Sequence, residues 1–492
     1  MSISKKKNGL GTFDFITIGL GAIVGIGWAL YVNGWIARAG GPIPAVVGYA
    51  IATAGLIPMA LCYAEMSSII KEPGGAMAYA NRLLNKPIAF IGGWFYIVCW
   101  LGIILWEVLF LTEIIQLLIP SLPTGVALWS LNGVDVTTTS IIIGVLLVVI
   151  FMAINVRGVK AVSRFQNIAT AGLVILGLLS AIIMFTMGDF SNLQPLYTTV
   201  DGYSHKSIFD GILTCIVLLP FFMAGMDLIP QGIADADPNA DSKVVGKGVI
   251  VCTIAAGLFY MLQILACGFA IPWQSFVSYE TPAAPNLFFA LFPDNHGLAQ
   301  TFYTIMLISV IMGLLTTLNA CLYGLPRLLA AMGERGLLAQ SLSKMNKNNV
   351  PINAVIFTCV CSFIGLMLGL GVIDPITAVG SISILICWII VSICVLASRR
   401  QSPDIERPFK VPGGTALVWF SIVFCSFLAV TEFIPSLPSF IGSIGLVMFV
   451  VVSVIGVGLF CLARFGKNKS TPGAKPESGS DPNPAPEPDR AA

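Results

Sequence analysis

Twelve long apolar runs leave this chain few ways to fold. They lie near 13–36, 42–69, 88–119, 138–157, 165–188, 208–233, 244–272, 297–332, 352–373, 375–398, 415–437 and 440–464. Inside a bilayer every backbone N–H and C=O must find a partner within the protein, so only helices and closed barrels span it. A spanning helix needs about 20 apolar residues, whereas a barrel strand needs about 10 in strict alternation. The runs are too long and too continuous for strands. Only 10% of the 492 residues are charged, against about 25% in a soluble domain. The reading is an all-α membrane protein with 12 transmembrane helices.

Lysine and arginine set the orientation, because cytoplasmic loops carry an excess of both. With the N-terminus in the cytoplasm, alternate loops and the tail collect 24 of the 26 basic residues. Only Arg38 and Lys206 fall on the other side. A miscounted span would scramble this division, so it supports both the count and the assignment to a cytoplasmic membrane with both termini inside.

The domain plan is short. Residues 1–12 form a cytoplasmic N-terminus, 13–464 a single transmembrane domain, and 465–492 a tail rich in Pro, Ser, Asp and Glu. Such a tail buries no apolar surface and is expected to be disordered. The loops around 189–207 and 273–296 are too short for a soluble domain. No cleavable signal peptide is expected, since Lys5, Lys6 and Lys7 lead into a run too long for one. Twelve cysteines are scattered through apolar runs and read as small buried hydrophobes. With only His205 and His296 present, no metal site is expected. No cofactor is expected either, and no nucleic-acid partner, because the basic residues are dispersed. The sequence carries nothing that sets an oligomeric state.

Two spans are interrupted. The first contains Gly19, Gly21, Gly25 and Gly27, and the sixth contains Pro220, Gly225, Pro230 and Gly232. Paired broken spans in corresponding positions point to the binding site of a secondary transporter, since unwound backbone at membrane depth must line a cavity or be buried in protein. Gly21 and Gly25 also fit a small-residue helix contact. On the functional reading, free N–H groups near Ile23, Gly25, Ile26 and Gly27 face a substrate carboxylate. A dinucleotide fingerprint is set aside, because no strand precedes the glycines.

Charged and hydroxyl side chains inside the spans are the other candidates. A carboxylate at the bilayer centre costs about 2.5–3.5 kcal/mol on insertion scales, so it tends to face the interior with a task. Glu107 lies near the middle of span three, seven residues after Trp100 and so on the same helix face. It reads as a ligand for a substrate amine, a proton carrier or a hydrogen-bonded structural carboxyl. Asp227 follows the break of span six and reads as a coupling group or as an aspartate reached by water near the helix end. Phe221 and Phe222 are candidate lids over a substrate or ordinary core. Glu113 and Glu432 lie near outer span ends and are expected to be solvated, while Glu65 reads as a gate or loop anchor. Thr316 and Thr317 either bond their own helix carbonyls or complete a cation site with carbonyls of Gly21 and Val24. No nucleophile–base pair, phosphate loop or metal cluster can be assembled, so the chain is not read as an enzyme.

Five stretches, in order, resemble the amino acid–polyamine–organocation superfamily of permeases. They are Gly25-Ile26-Gly27 in the broken span, 72–79 after span two, 155–160 before span five, 331–338 after span eight and 403–409 after span ten. The resemblance covers nearly the whole chain except the tail. It implies two inverted five-helix repeats, about 13–188 and 208–398, with two extra helices at 415–464. It also implies a substrate held by the first-span backbone and sixth-span carbonyls near Gly225. Trp106 would contact its side chain, Phe221 would close over it, and Asp227 would take part in proton coupling. Two features depart from the pattern. Leu173 stands where many members that use protons, or need no sodium, carry a lysine, and Glu107 matches no family norm. The expected cargo is an amino acid moved by alternating access as antiporter or symporter, with a proton or sodium ion and membrane lipid as further partners. A decarboxylated amine or polyamine is the alternative cargo, and a non-transporting receptor the alternative function.

Overall fold

The computed structural model describes residues 9–119, 121–131, 133–203, 206–237, 243–437 and 439–469. Among these, ten helices are long and apolar enough to cross a membrane. Two shorter apolar helices, Ile352–Leu366 and Ala416–Thr431, stand where spans nine and eleven were expected. Polar caps start several spans. Asn85 accepts from the Ile88 N–H before span three (Lys86–Leu118), and Asn295 accepts from Leu298 before span eight (His296–Glu334). Ser207 does the same for Asp210 at span six, satisfying amides that lack an intrahelical partner.

Burial sorts the spans. The windows of the first and sixth, Thr12–Leu30 and Ile208–Ile233, are each 78% buried, whereas Gly442–Ala463 is 6% buried and Thr138–Val156 22%. The two interrupted helices therefore lie toward the centre, while the outer ones expose Val447, Val454, Ile142 and Leu146. This is the arrangement the exposed backbone of a break demands.

Side-chain links collect the loops into two faces. On one, Leu10 pairs with the backbone of Asp235 and Asp237, Glu72 reaches Arg335, Glu65 reaches Arg399, and the Asn348 amide donates to the Val156 carbonyl. These are the loops in which the basic residues collect. On the other, Asn33 donates to Tyr279 O, Thr198 N to Gly40 O, and the Trp129 indole to Met367 O.

Several details differ from the sequence reading. Glu432 is not solvated. It is 3% exposed and accepts from the Ser381 hydroxyl at 2.6 Å, because the loop at 439–441 folds back over it and Ile441 N donates to its carbonyl. The loop after span three carries a β-hairpin, Ala127–Leu131 with Val134–Thr137. The loop at 273–296 holds two short helices, Trp273–Phe276 and Ala283–Leu291. The last helix continues to Lys469, five residues into the segment expected to be disordered. The rest of that tail, residues 1–8 and His205 lie outside the described residues.

Candidate functional site

Both breaks are real, and they meet. The first helix runs Thr12–Ile23, gives way at 24–26 and resumes at Gly27–Leu30 and Val32–Ala39. The sixth runs Ile208–Met223, loses its α form at 224–225 and continues as a 3-10 helix over Met226–Asp235. Pro220 has no N–H for the preceding turn, and Gly225 adopts φ 131°, which L side chains rarely tolerate. A Cβ on Gly225 would sit 2.7 Å from the Ala22 carbonyl. The backbones of the two breaks are thus in contact.

The N–H groups of Ile26, Gly27 and Trp28 donate to no backbone carbonyl among the described residues. On the carbonyl side, Gly25 N donates to Ile23 O at 2.9 Å, and the Trp28 indole donates to Gly25 O at 3.0 Å. Tyr260, from span seven (Val244–Ala270), places its hydroxyl 2.6 Å from Ile23 O and 3.0 Å from Phe222 O. One phenol thereby bridges a carbonyl of each break.

A cavity lies at this junction. Its walls include Ile23, Gly25, Ile26, Gly27, Trp106, Glu107, Phe221 and Phe222, all expected from the sequence, together with Ala22, Ile103, Ala224, Tyr260 and Thr317. Its volume is about 20 Å³, counted as room for the centre of a water-sized sphere. One water needs roughly 10–15 Å³ on that measure, so an amino acid enters only if side chains move. Much of the wall that would have to give way is aromatic. Phe221 and Phe222 have ring centroids 5.5 Å apart, and each lies 6.3 Å from the Trp106 ring.

Glu107 is 3% exposed and no basic side chain lines the cavity. A Cβ on Gly25 would lie 2.5 Å from Glu107 Oε1, so only glycine lets the carboxyl reach the first break. Neither oxygen accepts a hydrogen bond among the described residues, and Oε2 is fully enclosed.

Asp227 sits elsewhere. It is fully buried, does not line the cavity and accepts from the Gly225 N–H at 3.0 Å through Oδ1. Its Oδ2 has no hydrogen-bond partner among the described residues. Gly225 itself stands behind the cavity wall, against Ala22 and Ile23.

The four residues of the expected cation site are partly assembled. Thr317 donates to Gly21 O at 3.0 Å, but Thr316 turns to its own helix and donates to Gly313 O at 2.9 Å. Beside Gly21 the Gln166 amide donates to Thr316 O at 3.2 Å and to Thr17 O at 3.4 Å, and Gln166 accepts from Asn319 at 2.8 Å. Val24 O borders Gly313, where a Cβ would lie 3.3 Å away. The seam between spans one, five and eight is therefore bound by amides that the sequence reading had not singled out. A buried glutamine or asparagine within an apolar run was the available signal, as was a tyrosine hydroxyl at the middle of span seven.

A second, larger cavity of about 830 Å³ opens toward the face opposite the basic one. Its walls include Arg38, Asp374, Ser381 and Glu432, and it reaches down to Phe221. Phe221 lines both cavities, and its ring lies against span ten, where a Cβ on Gly380 would be 2.8 Å away.

Residues 10–460 match the family described as amino acid permease. The chain belongs to that family. Among its relatives, the branched-chain amino acid permease BcaP of Bacillus subtilis (strain 168) is 26% identical over 467 residues, covering 93% of each chain. The L-asparagine permease of Salmonella typhimurium is 24% identical over 430 residues, 83% of this chain and 80% of that one. A D-serine/D-alanine/glycine transporter of Escherichia coli is 22% identical over 367 residues, 72% and 73% respectively. The protein is thus a multi-pass amino acid permease of the amino acid–polyamine–organocation superfamily, and not an enzyme.

Proposed function

We propose that this permease carries a zwitterionic amino acid through the junction of its two broken helices by alternating access. The observation that carries the reading is a cavity lined by both breaks, with free N–H groups on one side and carbonyls on the other. A carboxylate suits the N–H groups of Ile26 and Gly27. The carbonyl of Phe222 suits an ammonium. Ile103, Trp106, Phe221 and Phe222 offer apolar contact to a side chain. The relatives' named cargoes, branched-chain amino acids, asparagine and small D-amino acids or glycine, are all neutral overall. In this reading the chain has twelve spans in two inverted five-helix repeats plus two helices, with both termini in the cytoplasm.

Coupling to a proton, or exchange, fits better than coupling to sodium. Asp227 and Glu107 are buried carboxyls with no basic partner among the described residues. Around Gly21, by contrast, the Gln166 amide presents N–H donors where a sodium ion would need oxygens.

The bare Glu107 carboxyl favours one second reading, a decarboxylated amine as cargo. Counterflow in proteoliposomes separates them. Labelled neutral amino acids should accumulate against their unlabelled selves, and their decarboxylated amines should not compete. Competition by the amine alone would transfer the assignment to amines, and no counterflow with either would leave a receptor. For coupling, Asp227→Asn should reduce gradient-driven uptake more than passive exchange; equal losses would make Asp227 structural.

A further inference from the structure

A third cavity, of about 500 Å³, lies on the face where the basic residues collect, between the entry of span one and the start of span five (Val159–Met187). Sites for small molecules occupy about 300–1,000 Å³. Leu10 and Asp14 stand on one side of it, and Lys160, Ser163 and Arg164 on the other. Lys160 and Arg164 are one turn apart on the helix, and both are exposed. Elsewhere on this face Arg82, Arg327, Arg335, Arg399 and Arg407 each have a carboxylate within 4 Å. Lys160 and Arg164 have none among the described residues. Asp14 is the acid in the wall, and its two oxygens already accept, from Gly11 N at 2.9 Å and from the Asn167 amide at 2.8 Å.

Neutral donors stand beside the two cations. Ser163 is 8% exposed, and its hydroxyl reaches only the Lys160 carbonyl, at 3.5 Å, the far limit of a hydrogen bond. Gly158 caps span five without a side chain, so the amides of Val159 and Lys160 find no acceptor among the described residues. An apolar stripe continues from the cations. Ile168, Ile175 and Ile182 follow Arg164 by four, eleven and eighteen residues, share its helix face and are all exposed. From Arg164 to Ile182 the helix rises about 27 Å, close to a hydrocarbon core of about 30 Å. Lys160 and Arg164 thus come at the edge of the core, at headgroup depth. A soluble phosphate would use the cations and leave the stripe without a purpose.

We propose that this cavity binds the phosphodiester headgroup of an anionic phospholipid. Lys160 and Arg164 take its phosphate oxygens, Ser163 and the first amides of span five add neutral hydrogen bonds, and an acyl chain lies along Ile168, Ile175 and Ile182. The other wall belongs to the first broken helix. Span five is already tied to it at this level by the Asn167 bond to Asp14 and by the Thr170 hydroxyl, 3.1 Å from Thr17 O. A seated headgroup therefore braces the half of span one that precedes its break.

The test titrates the purified full chain in detergent with phosphatidylglycerol or phosphatidylcholine and reads the thermal shift. Phosphatidylglycerol should raise the wild type's melting temperature more than phosphatidylcholine does. The double variant Lys160→Gln, Arg164→Gln should need roughly twenty-five-fold more phosphatidylglycerol for the same shift, about fivefold for each cation at the membrane surface. Arg400→Gln with Lys410→Gln removes the same charge from exposed positions on the same face and should leave the titration unchanged. An equal response of wild type and the first double variant overturns the proposal. So does an equal loss in the second, which would reduce the effect to net charge. Glycerol 3-phosphate should give no shift; one as large as the lipid's would make this a site for soluble phosphates and overturn the lipid assignment. Native mass spectrometry supplies a count that does not depend on melting temperature. The wild type should retain one phosphatidylglycerol that the first double variant loses, and retention by both, or by neither, overturns the site.

Discussion

The two faces of the permease are closed by different chemistry. On the basic face, Glu65 of span two (Pro42–Ile69) is fully buried and bonded to Arg399 of span ten through both oxygens, at 2.9 and 2.5 Å. Arg407 lies 3.5 Å from the same carboxylate, and the Val411 N–H donates to it at 2.7 Å. Asp235 accepts from Tyr323 at 2.9 Å and Arg327 at 2.8 Å, joining span six to span eight. Glu72 bonds Arg335 at 2.5 Å and Arg82 at 3.1 Å. On the opposite face a wide cavity reaches down to Phe221, whose ring lies between it and the small cavity at the breaks. In the proposed cycle, opening the first barrier would mean separating the buried Glu65 carboxylate from its guanidinium partners, which costs several kcal/mol. Opening the second would mean turning one ring between rotamers, so that on this reading one side holds and the other moves.

The sharpest way to break this comparison is Glu65→Ala. It strands two nearly buried guanidinium groups, and removing one partner of a buried pair costs about 3–5 kcal/mol. The purified protein should unfold several degrees lower; an unchanged melting temperature would mean the pair locks nothing. Gly225→Ala attacks the contact between the breaks instead. Its φ of 131° and the nearby Ala22 carbonyl make any side chain strained, by about 1–3 kcal/mol. Uptake should fall at least tenfold at equal membrane abundance, and near-normal uptake would show that the breaks separate during transport. Phe221→Ala tests the thin barrier and should raise the apparent KM about tenfold, about 1.4 kcal/mol. An unchanged KM would assign the closure to another group.

Two smaller effects sharpen the picture. Thr317→Val removes the bond from span eight to Gly21 O and should cost about 1 kcal/mol, read as a several-fold drop in uptake. Thr316→Val should cost less, since that hydroxyl only back-bonds to Gly313. If the order reverses, Thr316 has a task this geometry does not reveal. Glu72→Gln should change the melting temperature least, since its side chain is 42% exposed and that of Arg82 59%, and exposed pairs contribute about 0–1 kcal/mol. A large effect at low salt that vanishes at high salt would show this ion pair to be part of the lock.

Much of the site was legible in the chain because its backbone signals are local. Glycine and proline inside an apolar run announce a break wherever the run ends up, and Glu107 stands out because a charge there is expensive. Tyr260, Gln166 and Asn319 were harder to see. Each is an ordinary polar residue in a span, and its importance comes from what it faces on another helix. Glu432 was misread for the same reason: nothing near it in sequence shows that the loop at 439–441 returns to cover it.

By itself, the order of residues determined that the chain enters a membrane as helices, which loops share a face, and where two helices come apart. Transfer energy and backbone hydrogen bonding are settled within a single segment, so they can be read from one. Only the packed structure decided that the breaks touch, that one phenol spans them, and that the neighbours Thr316 and Thr317 serve different partners. Consecutive residues on a helix point about 100° apart. Which of those directions meets another helix depends on contacts between residues hundreds of positions apart, as Thr317 and Gly21 are at 296, and no local pattern encodes them.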